Sequence, residues 1–364
     1  MKKTLIYMLI LIALGAGVWY FVFRDKDAFS KSETGFRVDD TASVYKIFLA
    51  DKKGKQILLE RKDGGWVLNN QYPAMQAPVN VLLSTVKRQV AQYPVPQNAY
   101  DNIIKMMAGE AVKVELYDKS GDKITVFYVV GEANKNAGSY MLMEGSEMPY
   151  VVQIPGFEGY LAGRYSTALE DWRDRTVFDV PESELKSVSV TYSEEPLNSF
   201  TLRRLAADNI EVDVDKALMT GRPLNKRRAG VYSRFFAKVY SEGYINGALH
   251  MDSILKSVPK YCGIDVTAIN GKTAHADVYW MPLNKRSKNM LTPFPGIDNR
   301  FDADRFYAVI NNFKDTVIIQ RFTFDKIFRK AYEFYEADDT TGARETIEIP
   351  KGGGNVYRVG GSGK

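Results

Sequence analysis

The chain has 364 residues, of which 45% are hydrophobic, 26% charged and 12% aromatic, and its formal net charge is +5. This composition lies near the globular average and excludes a disordered, collagen-like or many-span membrane protein, while the length favours two domains. The single cysteine, Cys262, excludes an intramolecular disulfide framework and a cysteine-based metal site.

The first predicted element is a transmembrane anchor in residues 1–23. Residues 4–23 carry no charged side chain, and at about 1.5 Å per residue they span a hydrocarbon core of about 30 Å. Trp19, Tyr20 and Phe21 lie where an interfacial aromatic belt is expected. Small-residue triplets at 13–15 and 15–17 run directly into these large apolar residues, which favours an uncleaved single span over a removed signal peptide. A buried core helix is the other interpretation.

The orientation of this anchor is predicted from the length of the chain on each side. Lys2 and Lys3 face Arg24 and Lys26 across the span, so the charge bias is weak. A short N-terminal tail is easily retained in the cytoplasm, whereas a long folded segment is translocated across the membrane largely regardless of its charge. We therefore expect a single-pass protein of the inner (cytoplasmic) membrane with the bulk of the chain in the periplasm. Residues 24–40 are polar and lack periodicity, which predicts a stalk.

Residues 41–165 are predicted to form a first α+β module. Tyr45, Ile47 and Leu49 alternate as in a half-buried strand, and glycine-containing turns lead into the strands QILLER and WVL, which completes a three-stranded antiparallel meander. A helix with Pro78 in its first turn follows the meander and carries an apolar stripe that includes Val79 and Val86. Further strands are expected at residues 112–117 and 124–130.

Residues 183–335 are predicted to form a second module of the same kind. Strands around Val188, Phe200 and Val212 form its meander, and strands follow at 264–269 and 274–280. Between them a helix carries Val231, Phe235 and Val239 beside Tyr232, Phe236 and Tyr240. The predicted fold class is thus α+β, with an N-terminal transmembrane helix followed by two tandem, mainly antiparallel α+β modules.

An internal repeat supports this division. Residues 139–165 can be laid on residues 306–332 without a gap at an offset of 167, so that Tyr140 meets Tyr307 and Tyr165 meets Tyr332. Each copy is interpreted as strand, turn, strand and then an amphipathic helix that starts near Phe157 or Phe324.

The two copies are joined and followed by segments of different character. Residues 166–182 are predicted to be a packed connector because they contain Trp172, Val177 and Phe178. The tail, residues 336–364, is glycine-rich and loses hydrophobic periodicity, which predicts disorder or ordering on a partner only.

Charge is distributed unevenly between the modules. Residues 40–165 hold 14 basic and 13 acidic side chains, whereas residues 183–335 hold 23 and 17. Two similar segments contribute to the excess and define a candidate interaction patch for an anionic lipid, glycan or acidic protein. The patch consists of Lys226, Arg227, Arg228, Lys285, Arg286 and Lys288. Solvated loop charges are the alternative interpretation, and nucleic acid is not expected as a partner for an extracytoplasmic chain.

No catalytic or metal-binding constellation is predicted, and no cofactor is expected. His275 alternates with apolar residues in TAHADVYW, so it is interpreted as a solvent-face strand residue rather than a catalytic base, and His250 is expected to cap or line a loop. Asp298, Asp302 and Asp304 lack the glycine and terminal glutamate of an EF-hand and are interpreted as surface carboxylates. The sequence contains no HExxH, CxxC, GxSxG or SxxK motif.

The N-terminal span, the strand segment YKIFLADKKGKQILLERKDGGWVLNNQYPA and the helix residues LLSTV resemble a bacterial family of single-span, membrane-anchored envelope proteins, a domain of unknown function. Trp66, Asn69 and Tyr72 are its most typical residues here. Genes of that family often lie beside a gliding-type ABC transporter, and the family has no established catalytic residues, so the resemblance implies no site.

These observations favour a membrane-anchored extracytoplasmic binding or scaffold protein over an enzyme. Its expected partners are the membrane and other envelope proteins, such as an ABC transporter or a secretion or motility complex. The tandem modules and the exposed sheet edges would supply the binding surfaces. The alternative is an anchored hydrolase or transferase that acts on cell-wall glycan, and a third hypothesis is a lipid or small-ligand carrier with an internal cavity.

Overall fold

A computed structural model describes residues 34–133, 138–206, 209–215, 223–287, 300–311 and 314–335. The chain divides into two units, Met1–Asp174 (unit 1) and Arg175–Lys364 (unit 2). The division falls inside the predicted connector 166–182. Within that connector Trp172 is buried in the core of unit 1, whereas Val177 and Phe178 are buried in the core of unit 2.

Unit 1 contains one nine-stranded sheet whose strands pair antiparallel, in the order β4-β3-β2-β1-β6-β7-β8-β9-β5. The strands are β1 (Lys46–Ala50), β2 (Gln56–Lys62), β3 (Gly65–Leu68), β4 (Tyr72–Pro73), β5 (Val90–Pro94), β6 (Val112–Tyr117), β7 (Lys123–Val130), β8 (Ser139–Met143) and β9 (Tyr150–Gln153). The first three form the predicted meander.

Two helices pack on this sheet. Helix α1 (Gln76–Arg88) has Pro78 in its first turn as predicted and buries the apolar stripe from Val79 to Val86 in the main core of unit 1. Helix α2 (Gln97–Glu110) was not predicted; it buries Ile103 and Met107 in a second cluster with Tyr140 of β8.

Unit 2 contains an eight-stranded antiparallel sheet in the order β13-β12-β11-β16-β17-β18-β19-β15 and a two-stranded pair, β10-β14. The strands are β10 (Thr176–Phe178), β11 (Leu185–Tyr192), β12 (Phe200–Ala206), β13 (Asn209–Val214), β14 (Val239–Tyr240), β15 (Gly243–Tyr244), β16 (Lys260–Ala268), β17 (Thr273–Pro282), β18 (Phe301–Ile310) and β19 (Asp315–Gln320). The helices are α3 (Lys226–Tyr232), α4 (Met251–Ser257) and α5 (Arg321–Phe324).

The two sheets share one strand order. The run β3-β2-β1-β6-β7-β8-β9-β5 in unit 1 corresponds strand for strand to β13-β12-β11-β16-β17-β18-β19-β15 in unit 2. The mixed α+β class with mainly antiparallel sheets is therefore confirmed. Within the ranges described above, no helix has the length and apolar character that a bilayer span requires, and the predicted anchor, residues 1–23, lies outside those ranges.

The prediction of an amphipathic helix near Phe157 and Phe324 is wrong. In unit 1 the chain is non-helical from 155 to 161 because Gly156 and Gly159 adopt positive φ angles of 77° and 145°, and only a short 3₁₀ helix, Ala162–Arg164, follows. In unit 2 helix α5 lasts a single turn. The predicted correspondence of Tyr165 and Tyr332 also fails, because Tyr165 is fully buried whereas Tyr332 is 43% exposed.

The predicted helix of the second module is shorter than expected. Helix α3 ends at Tyr232 and continues as a 3₁₀ helix, Ser233–Phe236, and Val239 lies in strand β14. Tyr232 and Phe236 of the predicted stripe are buried, whereas Val231 is exposed.

Part of the predicted stalk belongs to the folded core. Phe36 and Val38 are buried in unit 1, and Phe36 makes edge-to-face contacts with Phe127 and Tyr150. The backbone N–H of Val38 donates to the carbonyl of Val86 in α1 at 3.1 Å. Residues 34–38 therefore form a packed strap, and the predicted stalk can include at most residues 24–33.

Candidate binding surfaces on the two sheets

The outer face of the unit 1 sheet carries a paired charge network. Strand β6 alternates, so Lys113, Glu115 and Tyr117 share the face opposite the core. Lys113 Nζ lies 2.8 Å from Glu115 Oε1 and 2.9 Å from Glu144 Oε1, and the Tyr117 hydroxyl donates to Glu115 Oε2 at 2.5 Å. Lys123 Nζ lies 3.6 Å from Glu115 Oε1. Glu115 therefore forms the centre of the network.

This network changes the titration of its members. Burial alone would raise the pKa of Glu115, but hydrogen bonds from Lys113 and Tyr117 outweigh burial and lower it. The same carboxylate, through its hydrogen bond, raises the pKa of Lys113. Burial, followed by the hydrogen bond to Glu115, raises the pKa of Tyr117 to about 12. All three shifts favour the ion-paired state at neutral pH.

The outer face of the unit 2 sheet carries a different network. Asp277 Oδ1 lies 2.5 Å from Lys260 Nζ and 2.9 Å from His275 Nε2, while His275 Nδ1 lies 2.6 Å from Asp265 Oδ1. Gly263 leaves space for the contact between Asp277 and Lys260, because a Cβ at position 263 would lie 3.3 Å from both Asp277 Oδ1 and Lys260 Nζ. His275 lies on the strand face predicted for it, and both of its ring nitrogens lie within 3 Å of carboxylate oxygens.

The two networks occupy the same place in the common strand order. In unit 1 Val129 of β7 pairs with Met141 of β8, and in unit 2 Val278 of β17 pairs with Ala308 of β18. The repeat offset of 167 places Ala308 at the position of Met141. These pairs thus provide a common register for comparing the two sheets.

The residues at matched positions of the two sheets differ on the outer face. Glu115 pairs with Val126 across β6 and β7, and the matched pair across β16 and β17 is Asp265 with His275. The inner faces instead keep apolar residues in both sheets. One hydrophobic scaffold therefore presents two different charged surfaces.

The predicted basic patch comes from two separate parts of unit 2. Lys226, Arg227 and Arg228 form the first turn of α3, which packs near β13, whereas Lys285 and Arg286 follow β17. Strands β13 and β17 are four positions apart in the sheet, or about 19 Å at ~4.8 Å per strand. Lys288 lies outside the described residues.

Two of these basic residues also have structural contacts. Arg228 Nη1 donates to the carbonyl of Glu333 at 2.9 Å, and the Arg228 backbone N–H is capped by the Asn225 side chain at 3.0 Å. Arg286 Nη2 lies 4.0 Å from Asp304 Oδ2. Convergence of the two segments on one binding surface stays a prediction.

The structure also shows the positions of His250 and Asp302, which the sequence analysis considered as candidate functional residues. His250 precedes α4 with a left-handed φ of 60° and makes no side-chain cap. Asp302 is fully buried rather than on the surface as predicted, since its Oδ1 accepts from the backbone N–H groups of Asp304 and Arg305 in an irregular part of β18. Asp298 lies outside the described residues.

The residues that carry the family resemblance build one corner of unit 1. Trp66 is buried in the core, and the side chain of Asn69 accepts from the backbone N–H of Leu58 at 2.7 Å with a positive φ of 49°. The Arg173 guanidinium lies 3.9 Å from the centre of the Tyr72 ring. Their roles at this corner are structural.

Sequence reasoning missed the Glu115 network, although the alternation in VKVELY already placed its three β6 members on one face. The partners Lys123 and Glu144 come from neighbouring strands, and only the register brings them close.

Across the described part of the chain, no group of three or more His, Cys, Asp or Glu side chains has the arrangement of a metal site. No family model, curated protein or solved structure matches this chain.

Proposed function

We propose that this chain is a single-span, membrane-anchored extracytoplasmic binding protein that acts as an accessory subunit of an envelope transport, secretion or motility assembly. The observation that carries the binding role is the matched pair of outer faces. Two sheets of one strand order keep apolar inner faces, yet Glu115 and Asp265, at the same register position, belong to different charge networks.

Charged outer faces suit protein recognition. Complementary charges on a partner raise the association rate and restrict the register of binding, whereas the hydrophobic core contributes only stability. Two scaffolds with different faces allow one chain to hold two different partners. The uncharged stretch 4–23 would keep this adaptor at the bilayer.

Purification of the tagged full chain from gently solubilised membranes tests this proposal. We expect other envelope proteins to co-purify. Lys123→Glu in unit 1 and Asp265→Lys in unit 2 alter exposed members of the two networks, and each is expected to release a different subset of partners. Lys53→Glu, in the exposed turn between β1 and β2, is the matched charge control.

Two outcomes contradict the proposal. One is repeated recovery of the chain without other proteins, and the other is an identical partner set for all three variants when each retains the wild-type melting temperature. Membrane attachment is tested separately by an alkaline wash of isolated membranes followed by mass spectrometry of the N-terminus. Release of the chain by the alkaline wash, or a mature N-terminus that lacks residues 1–23, contradicts the proposed anchor.

A further inference from the structure

The strap at the start of unit 1 enters the fold beside the last turn of α1. Gln89, directly after α1, donates through Nε2 to the carbonyl of Phe36 at 2.6 Å. Val38 binds the backbone of Val86 one turn earlier, and the carbonyl of Gly35 accepts from the Thr125 hydroxyl at 3.1 Å. Thr34, where the described part of unit 1 begins, therefore lies within two residues of a contact with the C-terminal end of α1.

An exposed aromatic loop adjoins the same end of α1. Arg164 Nη1 donates to Thr85 Oγ1 at 2.8 Å, and its guanidinium lies 4.4 Å from the centre of the Phe157 ring. Tyr160 packs on the backbone of Gly163, where a Cβ would lie 3.2 Å from the ring. Phe157 and Tyr160 are nevertheless 36% and 49% exposed. Two large rings are thus held in fixed positions at the surface.

Basic side chains lie near this loop. Lys87 and Arg88 are exposed in the last turn of α1, and strand β5 begins two residues later. Strand β5 pairs with β9, whose last residue precedes the aromatic loop. Glu158 is the exposed acid within the loop. We call the following set the tether-side surface: Lys87, Arg88, Phe157, Tyr160 and Arg164.

A simpler explanation accounts for part of this arrangement. Basic residues at a helix C-terminus complement the helix dipole, which is sufficient for Lys87 and Arg88. It does not explain why aromatic rings are exposed beside them. Aromatic and basic side chains together are typical of surfaces that contact lipid headgroups, because the ring enters the interfacial region while the cation stays at the phosphates.

The length of the tether limits where this surface can lie. Residues 24–33 separate the predicted anchor from the strap, and ten extended residues reach at most about 35 Å. We propose that the tether-side surface rests on the headgroups of an anionic bilayer, with Tyr160 and Phe157 at the interfacial region and Lys87, Arg88 and Arg164 at the phosphates. This inference rests on the proposed membrane anchor and fixes which face of unit 1 the membrane covers.

Depth-dependent fluorescence quenching of the full chain in lipid nanodiscs tests the proposal. A polarity-sensitive probe is attached to Tyr160→Cys, or to Phe157→Cys as a second site, and the native Cys262 does not compete because it is buried. Asp63→Cys is the control, in the exposed turn between β2 and β3 at the opposite strand end of the sheet from Gln153. The discs contain phosphatidylcholine with or without phosphatidylglycerol, and a fraction of the lipids carries a headgroup-level quencher.

We expect quenching at positions 160 and 157 but not at 63 in discs that contain phosphatidylglycerol. The double variant Lys87→Glu with Arg88→Glu is expected to lose most of this quenching. The proposal is overturned if position 160 is not quenched in discs that contain the chain. It is also overturned if the quenching depends neither on phosphatidylglycerol nor on the charge reversal. A chain that fails to enter the discs contradicts the anchor itself, which keeps the two failures distinguishable.

Discussion

Tyr165 and Gln89 form a hydrogen bond in the core of unit 1, where the tyrosine hydroxyl donates to Gln89 Oε1 at 2.5 Å. The other end of the Gln89 amide donates to the carbonyl of Phe36 at 2.6 Å. Gln89 therefore connects the end of α1, the N-terminal strap and the segment that leaves the aromatic loop. All three residues are buried, so this polar chain depends on each of its members.

We expect Tyr165→Phe to lower the free energy of unfolding of unit 1 by about 1–3 kcal/mol, because it leaves a buried amide oxygen without a donor. Tyr332→Phe, at the position that the repeat alignment matched to Tyr165, should change stability by less than about 0.5 kcal/mol because this residue is 43% exposed. Hydrogen exchange in urea, followed separately for each unit, measures both effects. Equal effects would contradict the assigned role of the bond.

The lowered pKa of Glu115 predicts a pH dependence of stability. A carboxylate whose pKa is lower in the folded state contributes stability above its unfolded pKa of about 4.5 and loses that contribution as the pH falls through the folded value. Glu115→Gln should therefore cost unit 1 about 1–3 kcal/mol at pH 7, and the difference from wild type should shrink below about pH 4. Urea unfolding across pH 3 to about 8 tests this. A difference that stays constant with pH would refute the ionic role of Glu115.

Gly138 is expected to be intolerant of any side chain. Its φ is +115°, and a Cβ would lie 2.3 Å from the carbonyl oxygen of Val152. Gly138→Ala should therefore cost about 3 kcal/mol or more, since strain and a backbone clash combine. Gly145→Ala, at a φ of +82° with open space around the added Cβ, should cost only about 1–2 kcal/mol. Similar losses in thermal unfolding would show that the clash with Val152 is unimportant.

Cys262 is expected to resist thiol reagents in the folded protein. The side chain is fully buried in the core of unit 2, and burial raises the pKa of its thiol, so little thiolate forms at neutral pH. Reaction with a chromogenic disulfide should be at least about tenfold slower than in urea-unfolded protein, because modification requires opening of the core. Rapid labelling under native conditions would contradict this burial.

Much of the fold could be predicted from local sequence patterns. Alternation around Ile47 and Val188 identified strands, and the 167-residue offset placed Tyr140 and Tyr307 on strands that the two sheets indeed use in equivalent positions. These successes share one cause, since a strand buried on one face must alternate whatever its tertiary neighbours are.

The errors arose where tertiary packing or backbone conformation overrides periodicity. The apolar residues after Gln153 suggested a helix, but the glycines at 156 and 159 take positive φ angles, and the strap at Phe36 is too short to show a period. The Glu115 and Asp277 networks depend on strand register, which no single strand reveals. Helix α2 could have been found from the spacing of Ile103 and Met107.

The packing of Phe36 and Val38 has a mechanical consequence. A pull on the chain ahead of Thr34 loads the strap first, and the strap can detach only when it breaks its contacts with Phe127, Val86 and Gln89. A load applied at Thr34 would therefore be carried into the sheet of unit 1 by packed side chains.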